Sequence, residues 1–480
     1  MNARLILLSL VGVLSAACSS ASDEDPRTEP SPLCPDAECA PTENGVATAE
    51  CSSFQYADPA GLSNEVKRIR ALVDATPDCL ANGNQAGCEE VDLPLEAAQP
   101  WCRSVGQRML IVDGDADLAV YRHAKRVLGY YTVDANTLDM VPVQPHLRVQ
   151  RPLANIVAEM AKSQQFLPSM AFNSPSLPSG GSGRLKVKTP RAGHGAMILV
   201  NLADYNPYAQ FVLFEPSHWS RHYACDGSVE SVKHALARNA EHIAHIKQKF
   251  GIDFVNYSKG EEDGLIRDAI RAKCGQVADD DLVHRIHVAI TEYEGRISAG
   301  SIFVKAGNPW SDTPVTGTEP QLLSDCTARP NGIRVGYAVQ YESNVPLGGQ
   351  PLSQSTLPID SGQRNLSRCL DMYINTGWEE GFPRGRDFGP YPVFYGSFGY
   401  GGGPLSFMAT SWAAPVGLSI ANHARQNWLV AHPGQRPSPE EIVSKLNPTG
   451  PEPRVFDPLR NQGFETCRMY PIFCKSRYSE

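Results

Sequence analysis

Between Phe211 and Gln340 the chain alternates short apolar runs with longer amphipathic stretches, and this alternation restricts the possible folds more than any other feature. Phe211–Glu215 reads as a strand. Val229–Phe250 reads as a helix with Val232, Leu236, Ile243, Ile246 and Phe250 on one face and Gly251 as its stop. Ile252–Tyr257 follows as a strand, then helices over Glu262–Lys273 and Asp281–Tyr293, then strands over Ser301–Lys305 and Ile333–Gln340. Parallel strands can be joined only by crossover connections, so repeated βα units predict a mostly parallel central sheet covered by helices on both faces. The expected fold is therefore a three-layer α/β/α arrangement.

The run Arg108-Met109-Leu110-Ile111-Val112 belongs to the same pattern and ends in Asp113. A continuous apolar strand is one buried on both faces, and an acid at its carboxyl end stands where open α/β sheets build their sites. The chain from Tyr121 to Pro190 is less patterned, with a helix expected over Leu153–Gln165 and a Ser/Pro/Gly-rich loop from Ser174 to Gly183. Two further helices are expected: Val416–Trp428, and a short one to Leu446 that opens on Ser438 as N-cap with Pro439 at the first helical position.

With 480 residues, of which 42% are hydrophobic and 20% charged, the chain reads as an ordinary globular protein large enough for a sizeable core. A net charge of −9 and the absence of a Lys/Arg run exclude the basic footprint of a nucleic-acid binder.

Four short stretches carry chemistry. Asp113-Gly114-Asp115-Ala116-Asp117 follows the first strand. Ala192-Gly193-His194-Gly195-Ala196-Met197 precedes an apolar segment. Ala306-Gly307-Asn308 follows the strand at 301–305, and Thr410-Ser411-Trp412-Ala413-Ala414-Pro415 lies between a Gly-rich loop (Phe398–Phe407) and an apolar helix. A serine at a helix start suits a nucleophile, because unpaired backbone N–H groups there favour negative charge. A fifth stretch, Asn256-Tyr257-Ser258-Lys259-Gly260, ends a strand.

In this order the stretches resemble the motifs of the subtilisin-like serine peptidases (subtilases): Asp-x-Gly-x-Asp, His-Gly-Thr-His-Val-Ala-Gly, Asn-x-Ser-x-Gly, Ala-Gly-Asn and Gly-Thr-Ser-x-Ala-x-Pro. The resemblance covers roughly residues 105–446, with the aspartate, histidine and serine in subtilisin order. It implies a subtilisin-like fold and a serine endopeptidase with Asp113, His194 and Ser411 as catalytic residues and Asn308 as oxyanion donor. It also implies a protein or peptide substrate bound as an extended strand along Ser258, Lys259 and Gly260, with Ala306 and Gly307 beside it.

Three positions depart from the family pattern: Asp115 and Ala409 stand where glycines are usual, and Met197 where a second histidine is usual. Lys259 replaces an often apolar residue. A side chain where glycine belongs can block close backbone approach, so a subtilase-fold module that binds peptides without turnover is the alternative. No cofactor is implied. A structural calcium ion is allowed but not indicated, since the Asp113–Asp117 run lacks the glycine and distal glutamate of an EF-hand. His234, His242, His245, His284 and His287 have helical spacing but no His-Glu-x-x-His pattern, and read as helix-surface or half-buried residues with no metal role.

At the N-terminus, Asn2 and Arg4 precede the apolar run Leu5–Val13, and Ser15-Ala16-Ala17 precede Cys18. This is the layout of an export signal, and the cysteine after small residues resembles a bacterial lipoprotein signal with Cys18 as the lipidated residue. The expected localisation is secreted or lipid-anchored in a bacterial cell envelope, with the anchor as the membrane contact. The expected organisation is a signal over 1–18, a flexible tether over 19–60 and a small Cys-rich extension over 61–104. A peptidase-like domain over 105–446 and a Pro-rich strap over 447–480 complete it. Of 13 cysteines, 12 remain once Cys18 is set aside, an even set that suits disulfide staples in both extensions and the main domain. Thiol titration of the denatured, unreduced mature protein is expected to find almost no free thiol; several per chain would sink the disulfide reading.

Overall fold

The computed structural model describes residues 75–79, 81–94, 98, 106–114, 126–144, 146–162, 194–206, 209–261, 263–307, 327–341, 356–358, 370–379, 410–432, 435–446 and 454–456, with 68, 71 and 72 of an upstream helix. In chain order the strands are β1 (Glu90–Pro94), β2 (Arg108–Val112), β3 (Val127–Val133), β4 (Met140–Pro142), β5 (His146–Gln150), β6 (Gln210–Glu215), β7 (Phe254–Tyr257), β8 (Ile302–Ala306), β9 (Gly332–Tyr341), β10 (Thr356–Pro358), β11 (Met372–Glu379) and β12 (Arg454–Phe456). The helices are α1 (Arg151–Lys162), α2 (His194–Tyr205), α3 (Trp219–His222), α4 (Glu230–Phe250), α5 (Asp263–Cys274), α6 (Asp280–Ser298), α7 (Thr410–Ala431) and α8 (Pro439–Leu446).

Ten strands form one sheet in the order β12-β11-β9-β8-β7-β2-β6-β3-β4, with β10 added beside β9. From β12 to β3 every neighbouring pair is parallel; β4 and β10 join antiparallel. The mostly parallel α/β sheet expected from the alternation is therefore present. A separate two-stranded sheet pairs β1 with β5.

The centre of the large sheet is β2, whose Met109, Leu110, Ile111 and Val112 are fully buried. Their side chains alternate between the two helical layers. Leu110 and Val112 face one core with Val212, Phe214, Val255, Tyr257 and Phe303, covered by α4 and α6. The opposite face is covered by α2 and α7. There α7 approaches closely at Gly417, where a Cβ would stand 2.7 Å from Val335 Cγ2 and 3.6 Å from Val304 Cγ1.

Local chemistry explains where the helices begin and end. In α4 the expected apolar face is the buried one, and Gly251 caps it in the left-handed conformation with φ 61°, its N–H bonded to Lys247 O. Asp279 caps α6 by accepting from the Leu282 N–H at 2.8 Å. Ser438 and Glu441 form a reciprocal capping box at α8, with bonds of 2.7 and 3.2 Å.

Disulfides join Cys79 to Cys88, and Cys225 beyond α3 to Cys274 at the end of α5. Among the described residues no helix is long and apolar enough to cross a membrane.

The Gly417 contact gives a stability test. Gly417→Val inserts a branched side chain where even a Cβ is too close, so urea unfolding is expected to lose about 1–3 kcal/mol. An unchanged midpoint would show that α7 does not seat on β8 and β9 in this way.

Candidate active site at the carboxyl edge of the sheet

Strand register brings the first site residues together. Val112 pairs with Tyr257, and Tyr257 with Lys305. The next row at the carboxyl edge therefore holds Asp113, Ser258 and Ala306 side by side. Tyr257 lies in the α4/α6 core and Lys305 bonds to α6. Side chains alternate along a strand, so this next row turns toward α2 and α7. The two helices that begin at this edge carry His194 as the first residue of α2 and Ser411 as the second of α7. Strand order also reverses here: the chain leaves β2 toward β3, while β7 and the later strands lie on its other side. Such switch points open a crevice above the strand ends.

Asp113 is buried and its Oδ1 lies 2.9 Å from His194 Nδ1, with side-chain exposures of 2% and 35%. The carboxylate is held off water while the imidazole stays reachable. The Asp113 N–H donates to Phe214 O at 3.1 Å, and the Gly195 N–H donates to Gly114 O at 3.2 Å, which ties the first turn of α2 to the loop after β2.

Ser411 is tied to β7. In a regular helix its carbonyl would accept from the N–H four residues on, but that residue is Pro415, inside α7 and without an N–H. Ser258 Oγ supplies the missing donor at 3.2 Å, and Asn256 Nδ2 donates to Ser258 Oγ at 2.8 Å. Ser411 Oγ in turn donates to the Ser258 carbonyl at 3.4 Å. A buried relay, Asn256 to Ser258 to Ser411, thus replaces one helical hydrogen bond. The backbone N–H of Ser411 belongs to the first turn of α7, where helices leave their donors without intrahelical partners.

A second set of buried polar groups fixes how α2 and α7 lie together. Just past α2, Asn206 Nδ2 donates to Leu202 O and to Ser419 Oγ of α7, both at 2.7 Å, and its Oδ1 accepts from Asn422 Nδ2 at 2.9 Å. Arg126 donates to Ala203 O at 2.7 Å and to Asn206 O, capping the carbonyl end of α2. On α7, Arg425 bonds to Gly106 O and pairs with Asp253 at 3.0 Å, anchoring the helix to the entries of β2 and β7.

Under β8 lies a buried ion pair, Lys305 Nζ to Glu294 Oε1 at 2.7 Å, with both side chains 1% exposed and Arg329 3.4 Å from the other Glu294 oxygen. Beside it, burial and the Glu294 charge push the Tyr293 hydroxyl to a pKa well above its ordinary value. Gly307 leaves β8 against Leu370, whose Cδ2 would stand 2.0 Å from a Cβ there.

The structure joins Asp113 to His194 and Ser258 to Ser411, with Lys259, Gly260, Ala306 and Gly307 on the same edge of the sheet. Asn308, Asp115, Ala409 and Cys18 lie outside the described residues. Asn256 opens the Asn-x-Ser-x-Gly stretch named from sequence, where it carried no role of its own; Asn206 and Arg126 lie in no motif. Among the described residues no group of three or more His, Cys, Asp or Glu side chains could hold a metal ion. His242 accompanies the α4 core, its Nε2 2.7 Å from Leu138 O.

No family model matches the chain, and no curated protein matches it. A solved structure described as proteases from Pseudoalteromonas arctica aligns with 76% of this chain and 89% of that one, at 13% identity and a TM-score of 0.29. A likeness that low carries no argument about this chain.

The relay can be tested by a double-mutant cycle. Ser258→Ala strands the Ser411 carbonyl and the Asn256 amide, so it is expected to cost about 1–3 kcal/mol in urea unfolding. In a Pro415→Ala background, where the introduced alanine restores the helical N–H, the same change should cost clearly less. Equal costs in both backgrounds would mean that Ser258 does not substitute for the proline's missing donor.

Proposed function

We propose that this protein is an exported serine endopeptidase of the subtilisin-like family, with Ser411 as nucleophile, His194 as base and Asp113 as the group that orients it. The observation that carries the reading is the 2.9 Å bond between the buried Asp113 carboxylate and His194 Nδ1, at the sheet edge where α7 presents Ser411. That bond keeps the proton on Nδ1, leaving Nε2 as the acceptor for a serine proton.

Each step then has its group. The Ser411 hydroxyl leaves the Ser258 carbonyl, gives its proton to His194 Nε2 and attacks the peptide carbonyl carbon. Charge on the carbonyl oxygen falls to the Ser411 N–H and to Asn308, whose removal is expected to lower kcat about 10²- to 10³-fold. The imidazolium, stabilised by Asp113, returns its proton to the departing amine, and water repeats the sequence on the acyl-enzyme. The peptide lies as an added strand along Ser258, Lys259 and Gly260, with Ala306 and Gly307 beside it. Export through the N-terminal signal, with lipid on Cys18, would put the enzyme where its disulfides persist.

One observation favours the alternative, a binding module without turnover: Ser411 Oγ donates to Ser258 O, which satisfies the hydroxyl without the imidazole. Labelling of the mature protein with a fluorophosphonate probe separates the two readings. Wild type should label, Ser411→Ala and His194→Ala should not, and each variant should lose at least about 10⁴-fold in peptide hydrolysis. A folded wild type that neither labels nor cleaves peptides would overturn the peptidase reading in favour of binding alone.

A further inference from the structure

Lys259 sits one residue beyond the serine whose carbonyl accepts from Ser411 Oγ, and it is half-buried. One row beyond Asp113 and Ser258 the neighbours are Gly114 and Lys259. Gly114 has no side chain, and the lysine occupies the space: a Cβ on Gly114 would stand 3.4 Å from Lys259 Nζ and 4.0 Å from its Cε. The ammonium therefore lies over the corner that follows Asp113.

Among the described residues, the carboxylates of this edge bond to groups other than Lys259, and Asp113 Oδ2 is buried without a hydrogen-bond partner. Asp113 bonds to His194 at 2.9 Å, Glu261 to His218 at 3.1 Å and Glu215 to Tyr130 at 3.1 Å. Among the described residues Lys259 has no hydrogen bond and no ion pair. A half-buried ammonium has lost part of its hydration, and a counter-charge at that point is favourable. The chain as a whole carries a net charge of −9, which disfavours acidic ligands at long range, so a preference here would have to be local.

We propose that Lys259 is a specificity residue that selects peptides carrying an aspartate or glutamate among the residues lying along Ser258, Lys259 and Gly260. This rests on the peptide-binding part of the proposed function and names its substrate class. Lys259 then acts on the substrate side chain, with no part in the bond-breaking steps.

The test uses the full mature protein carrying Ser411→Ala, so that binding is read without cleavage. Fluorescein-labelled peptide pairs that differ by Glu or Gln at one position, scanned along the peptide, are titrated by anisotropy. At one position the Glu peptide is expected to bind about 5- to 10-fold tighter. Lys259→Met should bring that ratio to about one, Lys259→Arg should keep it and Lys259→Glu should invert it. A ratio of one at every position, or a ratio unchanged by Lys259→Met, overturns the proposal. So does Lys259→Met weakening both peptides equally, because the lysine would then serve Asp113 or the fold. A Lys259-dependent Glu preference in a protein whose Ser411 never labels with the fluorophosphonate would uphold acidic selection while overturning hydrolysis.

Discussion

Backbone pairing of β2 with β6 on one side and β7 on the other is the constraint on which the site depends. Because β2 is central and buried on both faces, its residues cannot slip by one position without turning an apolar set toward the wrong layer. The same register that buries Val112 beside Tyr257 sets Asp113 beside Ser258. The position of the carboxylate is thus a by-product of core packing, which holds it more firmly than local hydrogen bonds alone could.

The helices need a different kind of fixing, since apolar packing tolerates sliding more readily than a hydrogen-bonded ladder does. Buried polar groups provide it. Asn206 joins the end of α2 to Ser419 and Asn422 of α7, while Arg425 joins α7 to the entries of two strands. Each such bond has a fixed length and direction, and breaking one inside a core leaves a desolvated donor or acceptor. The far end of α2 and the middle of α7 are therefore pinned, which fixes the first turns that bear His194 and Ser411.

Much of this was legible in the sequence where one physical rule dominated. Continuous apolar runs marked β2, β6 and β8, and the 3.6-residue period with a stop glycine marked α4. Reading failed where rules competed. β3 carries Gly129 and two tyrosines within seven residues, which masks its apolar run. β1 and β5 alternate charged with apolar residues and pair only with each other, outside the main sheet. The start of α7 was expected at Val416, after the proline; the helix begins at Thr410 because Ser258 supplies what Pro415 lacks. That repair comes from a residue 153 positions away in the chain, beyond the reach of any local pattern. The same holds for the candidate site: the types of Asp113, His194 and Ser411 were readable, while Asn256 and Asn206 matter through partners that only the fold supplies.

The central place of β2 also shapes how the chain must assemble. Its Leu110 pairs with Val212 and Val255, residues synthesised much later. A nascent chain therefore carries the apolar run Met109–Val112 unpaired until β6 and β7 have been made. Closing such distant pairings is slow, and exposed strands of this kind invite association with other chains. Successful maturation would then be governed by how long Met109–Val112 is kept from the wrong neighbours, more than by the final stability of the sheet.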